Sequence, residues 1–444
     1  MELEITGLGT NGEGVGRHDG LTVFVEGALP DEKIFAEVKE TKKNYAVARL
    51  VKILRESGDR VKPFCPIYER CGGCQLQHLN YAAQLKWKRQ QVVDAVEHIG
   101  KIKGVEIFDT LGMENPLRYR NKMQFPVARQ KGELVIGCYA RGSHQIIDTN
   151  SCLIQREGMD EVLAAVKKIL QKYNVAAYDE DTHRGVLRHV MSRIGFNGEL
   201  MIVLVTAMKN LPAEKNIVRA ICHELPKVTS VQQNIQTYHN NVILGRETKI
   251  LYGKPTIKDR IENLTFNISA RSFFQVNSAQ AEVLYNVALK FAELTGRETV
   301  IDAYCGIGTI TLFLAKSARK VYGIEIVPTA IDDAKKNARE NNIRNAEFIA
   351  GDTLKIIPRL YREGVRADVV IVDPPRAGCD KKVLETFAAM SPSKIVYVSC
   401  NPATLARDIS ILRELGYSTK KIQPVDMFPF SSHVESVTLL ESQS

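Results

Sequence analysis

The sequence predicts a multidomain α/β protein in three parts: an N-terminal OB-like β-barrel over residues 1–54, a central α+β domain over 55–266, and a C-terminal doubly wound parallel sheet over 267–444. Three observations carry this. A chain of 444 residues exceeds one ordinary domain and suggests two or three. Its first fifty residues hold short β-like runs joined by Gly-rich turns. From about residue 267, strand-like and helix-like stretches alternate, the pattern of parallel strands joined by crossover helices.

In the first part, LTVFVEG, EKIFAEV and YAVARLVKIL read as strands, and GEGVGRHDG as a turn. Lys33, Lys39, Lys42, Lys43, Arg49, Lys52 and Arg55 run along it, as a basic face for a polyanion or as plain solvated charge. Next comes CPIYERCGGCQLQH, which spaces Cys65, Cys71 and Cys74 as C-x5-C-x2-C. The nine cysteines are odd in number and unevenly spread, which argues against a secreted disulfide framework. Three clustered thiols instead suggest a metal site whose fourth ligand comes from elsewhere. YAAQLKWKRQQVVDAVEHIG has helical period with its charges on one side.

The middle part alternates strands (LVIGCYAR, GELMIVLVT, NVILG) with helices (MDEVLAAVKKILQKY, AEKNIVRAICHEL). The last part opens with the helix QAEVLYNVALKFAEL. TVIDAYCG, KVYGIEIV, AEFIAGD, VVIVDPP and KIVYVSC then read as strands, of which VVIVDPP and KIVYVSC are apolar runs that stop at a polar residue, as buried strands do. No apolar run approaches the ~20 residues that span a bilayer, and the N-terminus lacks a signal-peptide pattern. A soluble cytoplasmic protein is expected. The net charge of +9 is compatible with a polyanionic partner without requiring one.

Ligands of doubly wound sheets bind at the carboxyl ends of the strands. There the sequence places DAYCGIGT, with Gly306 and Gly308 opening a helix, then Glu325, Asp352 and Asp373 at the next three strand ends. A single carboxylate there is ordinarily a helix cap. Asp302, Glu325, Asp352 and Asp373 at four successive ends suggest a nucleoside pocket, in which Glu325 accepts from ribose hydroxyls and Asp352 faces an adenine. The turn departs from G-x-G-x-x-G, which disfavours a dinucleotide and favours S-adenosylmethionine (SAM).

Methyltransferases of exocyclic amines carry an aromatic residue after their Asp/Asn-Pro-Pro motif; here that position is Arg376. A ring carbon is then the natural methyl acceptor. Carbon 5 of a pyrimidine becomes nucleophilic only once something adds to carbon 6, and Cys400, at the polar end of its strand, supplies a thiol for that addition. The proton on carbon 5 must afterwards leave to a base, for which Glu435 and His433 are candidates.

Together these segments resemble the RNA uracil-C5 methyltransferase family, in the branch with an N-terminal TRAM domain and an iron–sulfur cluster. GLGTNGEGVGRHDGLTVFVEGALPDE is similar to TRAM, and CPIYERCGGCQLQHLNYAAQLKWK to the cluster segment. YRNKMQFPV, RSFFQVNSAQAE, DAYCGIGT, VDPPRAG, VSCNPATLARD and SSHVESV follow in family order. The resemblance implies a Rossmann-like, SAM-dependent methyltransferase domain. It implies a 4Fe-4S cluster on Cys65, Cys71, Cys74 and Cys152; spacing alone allows a structural zinc and does not choose Cys152 over Cys138. Leu153 stands where relatives often carry Pro. The resemblance further implies SAM contacts at Gln275, Tyr304, Gly306, Glu325, Asp352 and Asp373, with Cys400 as nucleophile and Glu435 as proton acceptor. Phe273 and Phe274 are candidates to stack on a base, or to split between surface and core. The activity implied is formation of 5-methyluridine in 23S ribosomal RNA by a monomer without an obligate protein partner. Alternatives are the same chemistry on the T-loop of transfer RNA, or a non-catalytic RNA-binding protein that retains the fold.

Overall fold

Strict alternation of apolar and polar residues closes the first part into a barrel. In the computed structural model, which describes residues 1–443, strands Glu2–Leu8, Gly14–His18, Leu21–Glu26, Tyr45–Arg55 and Lys33–Thr41 are hydrogen-bonded in that order and the sheet closes on itself. Leu3, Ile5, Val23, Val25, Ile34 and Ala36 point inward. Much of the basic face is neutralised by the barrel's own carboxylates: Lys33 pairs with Glu2, Lys42 with Glu40, Arg49 with Glu37 and Arg55 with Glu4.

The middle part is a seven-stranded sheet in the order Glu247–Gly253, Val228–Ile235, Leu200–Thr206, Leu187–Ile194, Lys122–Gln130, Glu133–Tyr139 and Ile146–Asp148. Helices Met159–Lys172 and Glu214–Glu224 bury their apolar stripes on one face of it. NVILG, expected as a strand, is a loop. Side-chain amides replace the ladder there: Asn234 Nδ2 donates to Gly245 O (3.1 Å), Gly245 N to Asn234 Oδ1 (2.7 Å), and Gln236 Nε2 to Val242 O (2.5 Å).

The last part is an eight-stranded sheet ordered Ala346–Ala350, Lys320–Glu325, Thr299–Ala303, Val369–Val372, Lys394–Ser399, Glu435–Ser442, Tyr417–Val425 and Glu106–Ile107. The first five strands are parallel. An antiparallel hairpin, Tyr417–Val425 with Glu435–Ser442, extends the sheet, and Glu106–Ile107 adds to its edge. Strand order reverses between Thr299–Ala303 and Val369–Val372, the place where such sheets open a crevice. Helix Thr353–Arg362 is not among the expected elements: Pro358 sits inside it, although Thr353, Ile356, Ile357 and Leu360 recur at helical spacing behind the Asp352 cap.

Helix Tyr81–Asp94 forms as expected and runs on into a wider turn at Ala95–Ile99, but its polar side is not solvated. Gln84 and Lys88 are fully buried against the C-terminal part.

Candidate active site

The register of the central strands decides which side chains meet. Ala303 lies opposite Val372, so the segments that follow them emerge side by side at the crevice. Tyr304 leaves its strand at φ +67°, and Gly308 turns into helix Thr309–Ala315 at φ +85°. A Cβ on Gly308 would stand 3.0 Å from the Phe348 ring, whereas Gly306 has open space beyond its Cα. The Gly306 amide donates to Glu325 Oε2 (3.2 Å), and the Val327 amide to Glu325 Oε1 (2.9 Å). These residues line a cavity of about 510 Å³ shared with Arg271–Phe273. Asp352 follows its strand but caps helix Thr353–Arg362, accepting from Leu354 N (3.0 Å). Gln275 is buried, with its backbone carbonyl held by Asn121 Nδ2 (3.0 Å). The adjacent aromatics split: Phe274 is core, whereas Phe273 is 71% exposed.

Beneath this turn, Asp302 is buried. Thr311 Oγ1 donates to its Oδ2 (2.5 Å), and its Oδ1 has no partner. Burial pushes its pKa up to about 7. Asp373 and Glu435 are likewise held above the usual carboxylate range, both by burial and Glu435 also by the charge of Asp373. Asp302 and Asp373, raised by burial with no cation among the groups that act on them, suit a positively charged ligand, and the room beside Gly306 suits close approach to backbone. The residues present therefore fit SAM, which carries a sulfonium and an amino group.

Cys400 directly follows strand Lys394–Ser399, where Asn401 ends the ladder by capping helix Pro402–Glu414, accepting from Ala403 N (3.0 Å). Asn401 Nδ2 and Thr404 Oγ1 both donate to Arg376 O (3.3 Å each), which ties the VDPPRAG loop to the cysteine. Burial, then the charges of Glu435 and Asp373, push the Cys400 thiol up to about 11, and Arg376 opposes them. Glu435 opens the last strand opposite Val425 and is buried. His433 differs. Arg376 Nη2 donates to its Nε2 (3.1 Å), and burial with the charges of Arg376, Lys88 and Arg120 lowers its pKa to about 4. A neutral imidazole already accepting from a guanidinium is a poor base, so the chemistry favours Glu435. In the sequence Arg376 stands out only as a departure from another motif; in the fold it faces thiol, carboxylate and imidazole at once.

A cavity of about 520 Å³ opens over Cys400, Asn401, Arg376 and His433, and its opposite wall is the barrel turn Leu8–Asn11. The barrel thus reaches the thiol.

The strap 426–434 that delivers Glu435 is clamped from two sides. Helix Tyr81–Asp94 supplies Tyr81, whose hydroxyl donates to Asp426 (3.0 Å), and Lys88, whose Nζ reaches Asp426 Oδ1 (2.6 Å) and Phe428 O (3.1 Å). Gln84 Oε1 accepts from Phe430 N (3.1 Å), and Gln91 Nε2 donates to Ser432 O (3.2 Å). The cysteine segment supplies the amides of Gln75 and Leu76, both donating to Phe430 O (2.9 Å each), and Gln75 Oε1, which accepts from Ser432 N (3.3 Å). Phe64 packs edge-on against Phe430, ring centroids 4.9 Å apart.

Cys65, Cys71, Cys74 and Cys152 line one cavity of about 740 Å³, and so does Cys138. Among the described residues, no group of three or more His, Cys, Asp or Glu is gathered tightly enough to hold a metal ion. No helix among the described residues is long and apolar enough to cross a membrane.

Comparison with known proteins agrees with this geometry. Residues 80–443 match the tRNA (uracil-5-)-methyltransferase family, and residues 1–51 match the TRAM domain. An uncharacterized RNA methyltransferase of Clostridium tetani is 52% identical over 439 residues, covering 99% of this chain and 95% of that protein. One from Listeria innocua is 52% identical over 441 residues, 99% and 97% of the two chains. The crystal structure of Pyrococcus abyssi tRNA (uracil-54, C5)-methyltransferase in complex with S-adenosyl-L-homocysteine superposes with a TM-score of 0.76 at 30% identity, covering 99% of this chain and 100% of that one.

Proposed function

Since the chain belongs to the uracil-5 RNA methyltransferase family of SAM-dependent enzymes and carries a TRAM domain, we propose that it forms 5-methyluridine in 23S ribosomal RNA through Cys400 and Glu435. The observation that carries the chemistry is the convergence of Cys400, Arg376, Asp373 and Glu435 at adjoining strand ends.

The target uridine leaves its stack, at a cost of a few kcal/mol that is smallest in a loop. Its base enters the cavity over Cys400. Arg376 favours the thiolate, which adds to carbon 6: a C–S bond forms, and the C5–C6 π pair moves toward carbon 5 and its carbonyl. When bound, SAM would supply an electrophilic methyl group to carbon 5, its S–CH3 bond breaking as S-adenosyl-L-homocysteine leaves. Glu435 then takes the proton from carbon 5, the C5–C6 double bond returns, and the Cys400 thiolate leaves. Gln275, Tyr304, Gly306, Glu325, Asp352 and Asp373 hold the methyl donor in this reading. Cys65, Cys71, Cys74 and Cys152 hold a 4Fe-4S cluster, a role that rests on the resemblance and on the shared cavity. Residues 1–54 grip RNA, 55–266 carry the cluster, and 267–444 perform catalysis, in the cytoplasm and as a monomer.

The T-loop of transfer RNA is the second reading, favoured by the similarity to the Pyrococcus enzyme over the whole chain, barrel included. Incubating 23S fragments and transfer RNA transcripts with labelled SAM, followed by mass-spectrometric mapping of 5-methyluridine, decides between them. Methylation of transfer RNA alone sinks the ribosomal assignment; methylation of neither sinks the activity.

A further inference from the structure

Away from the thiol and the strap, the middle sheet holds an arrangement that is unfavourable without a partner. Lys122 and Arg193 stand directly opposite each other on neighbouring antiparallel strands. Side chains in such pairs share one face with Cβ atoms about 4.5–5.5 Å apart, and like charges placed there repel. Neither forms an ion pair among the described residues. Lys122 Nζ has no hydrogen bond or ion pair among the described residues although its surroundings are mostly buried. Arg193 is 4% exposed; one of its terminal nitrogens donates to Ser272 O (2.7 Å), while its Nε is buried with no partner. Asp259, the carboxylate that acts on Arg193, is occupied elsewhere: its Oδ2 accepts from Asn121 Nδ2 (3.0 Å) and Ser278 Oγ (2.9 Å), its Oδ1 from Arg260 N (2.9 Å). Burial and the charges of Arg193 and Arg120 lower Lys122 to about 7, the mark of an ammonium without an anion.

The pair also stands in a telling place. Ser272, held by Arg193, precedes the exposed Phe273, and Asn121, next to Lys122, holds Gln275. Arg120 is close enough for its charge to act on His433. Arg193 thus sits against the segment that carries the exposed Phe273, with Lys122 beside it on the same sheet face.

We infer that Lys122 and Arg193 form a phosphate site that grips one phosphodiester of the RNA strand beside the flipped uridine. This rests on the reading that the substrate is RNA. An ammonium and a guanidinium on one sheet face satisfy the oxygens of a single phosphate, and the phosphate removes their mutual repulsion.

The test compares wild type, Lys122→Met and Lys122→Arg on a transcript that the wild-type enzyme methylates. If one phosphate contact is lost, Lys122→Met weakens RNA binding by roughly three- to tenfold at 0.1 M salt, and its log–log salt slope falls by roughly 0.7–0.9. SAM affinity stays the same, Lys122→Arg restores binding, and the RNA-free Lys122→Met protein melts no lower than wild type because a repulsion is gone. An unchanged RNA affinity and salt slope overturns the site. Weakened SAM binding with RNA binding intact also overturns it, assigning the anion as the carboxylate of the methyl donor. A lower melting temperature with no change in salt slope makes Lys122 merely structural. If wild type methylates no RNA, the functional reading falls instead, and the two failures are distinguishable.

Discussion

Replacing Glu435 by Gln keeps the shape of the buried side chain and removes its charge and its basicity, and the two losses are read separately. In the free protein Cys400 stands at about 11 against an ordinary 9.0. At neutral pH that shift leaves roughly a hundredfold less thiolate than an unperturbed cysteine holds. Burial is its largest cause and Glu435 the next, so Glu435→Gln recovers only part of the deficit, a rise in thiolate of a few-fold and at most about tenfold. Iodoacetamide alkylation of Cys400 at pH 9, above the value of about 8 to which Glu435 is raised, followed by peptide mass spectrometry, reads it directly. Turnover moves the other way, since loss of a general base costs about 10²–10⁴ in rate. The enzyme stalls after methyl transfer, so the mutant carries methylated RNA in a covalent adduct that survives denaturing electrophoresis and vanishes when Cys400→Ala is added. Normal turnover in Glu435→Gln would refute the base assignment. An inactive enzyme without adduct would show that Glu435 acts before the methyl moves. Alkylation no faster than wild type would mean that its charge does not reach the thiol.

The acid cluster makes stability and SAM binding depend on pH with opposite signs. Asp302 at about 7, with Asp373 and Glu435 also raised, keeps protons in the native state that the unfolded chain releases above about pH 4. Stability present below that pH is lost as pH rises through about 7, so the melting temperature of the ligand-free protein should fall between pH 5.5 and 8.5. The ionised acids attract the cationic donor, so the upward shift in melting temperature on adding SAM should grow over the same interval; a constant shift counts against the cluster as the donor's counter-charge. Lys88→Met leaves Asp426, itself fully buried, without its cation, and should cost about 3–5 kcal/mol in urea unfolding. A loss under about 1 kcal/mol would show that the pair does not hold the strap. Protein purified without oxygen should be brown, absorb broadly near ~400 nm as such clusters do, and lose iron in Cys71→Ser and Cys152→Ser but not in Cys138→Ser; stoichiometric zinc in a colourless protein would end the cluster assignment.

Much of this architecture is legible in short stretches of sequence. Two central strands of the last sheet, Val369–Val372 and Lys394–Ser399, are apolar runs halted at the crevice, so the run lengths put Asp373 and Cys400 just past strand ends, as Glu325 ends its own strand and Asp302 stands one residue before the end of its own. What a short stretch does not carry is contact across the chain. Lys88 sits in a helix whose other cations suggest solvent, and only a carboxylate 338 positions away explains its burial. Arg376 acquires a role only when the hairpin brings His433 and Glu435 to it. Helix Thr353–Arg362 has a cap and apolar residues at helical spacing, against which only its internal proline argues, and the NVILG loop is held by amides of residues that read as strand. Cys138 joins the thiol cavity by way of the sheet, which no spacing rule reveals.

The clamp on the strap also fixes when a molecule can become active. Lys88 and Asp426 are 338 residues apart, so at ~5–20 residues per second a ribosome makes the second roughly 17 to 68 seconds after the first. Throughout that interval the helix with Lys88 and the cysteine segment lack the surface that buries them, and the nascent chain offers them to chaperones and proteases. The hairpin that seals this surface is the one that brings Glu435. A chain cut short of residue 426 holds Cys400 without Glu435, and it also leaves the early segment bare. Synthesis of the hairpin, burial of the early segment and arrival of Glu435 are a single event.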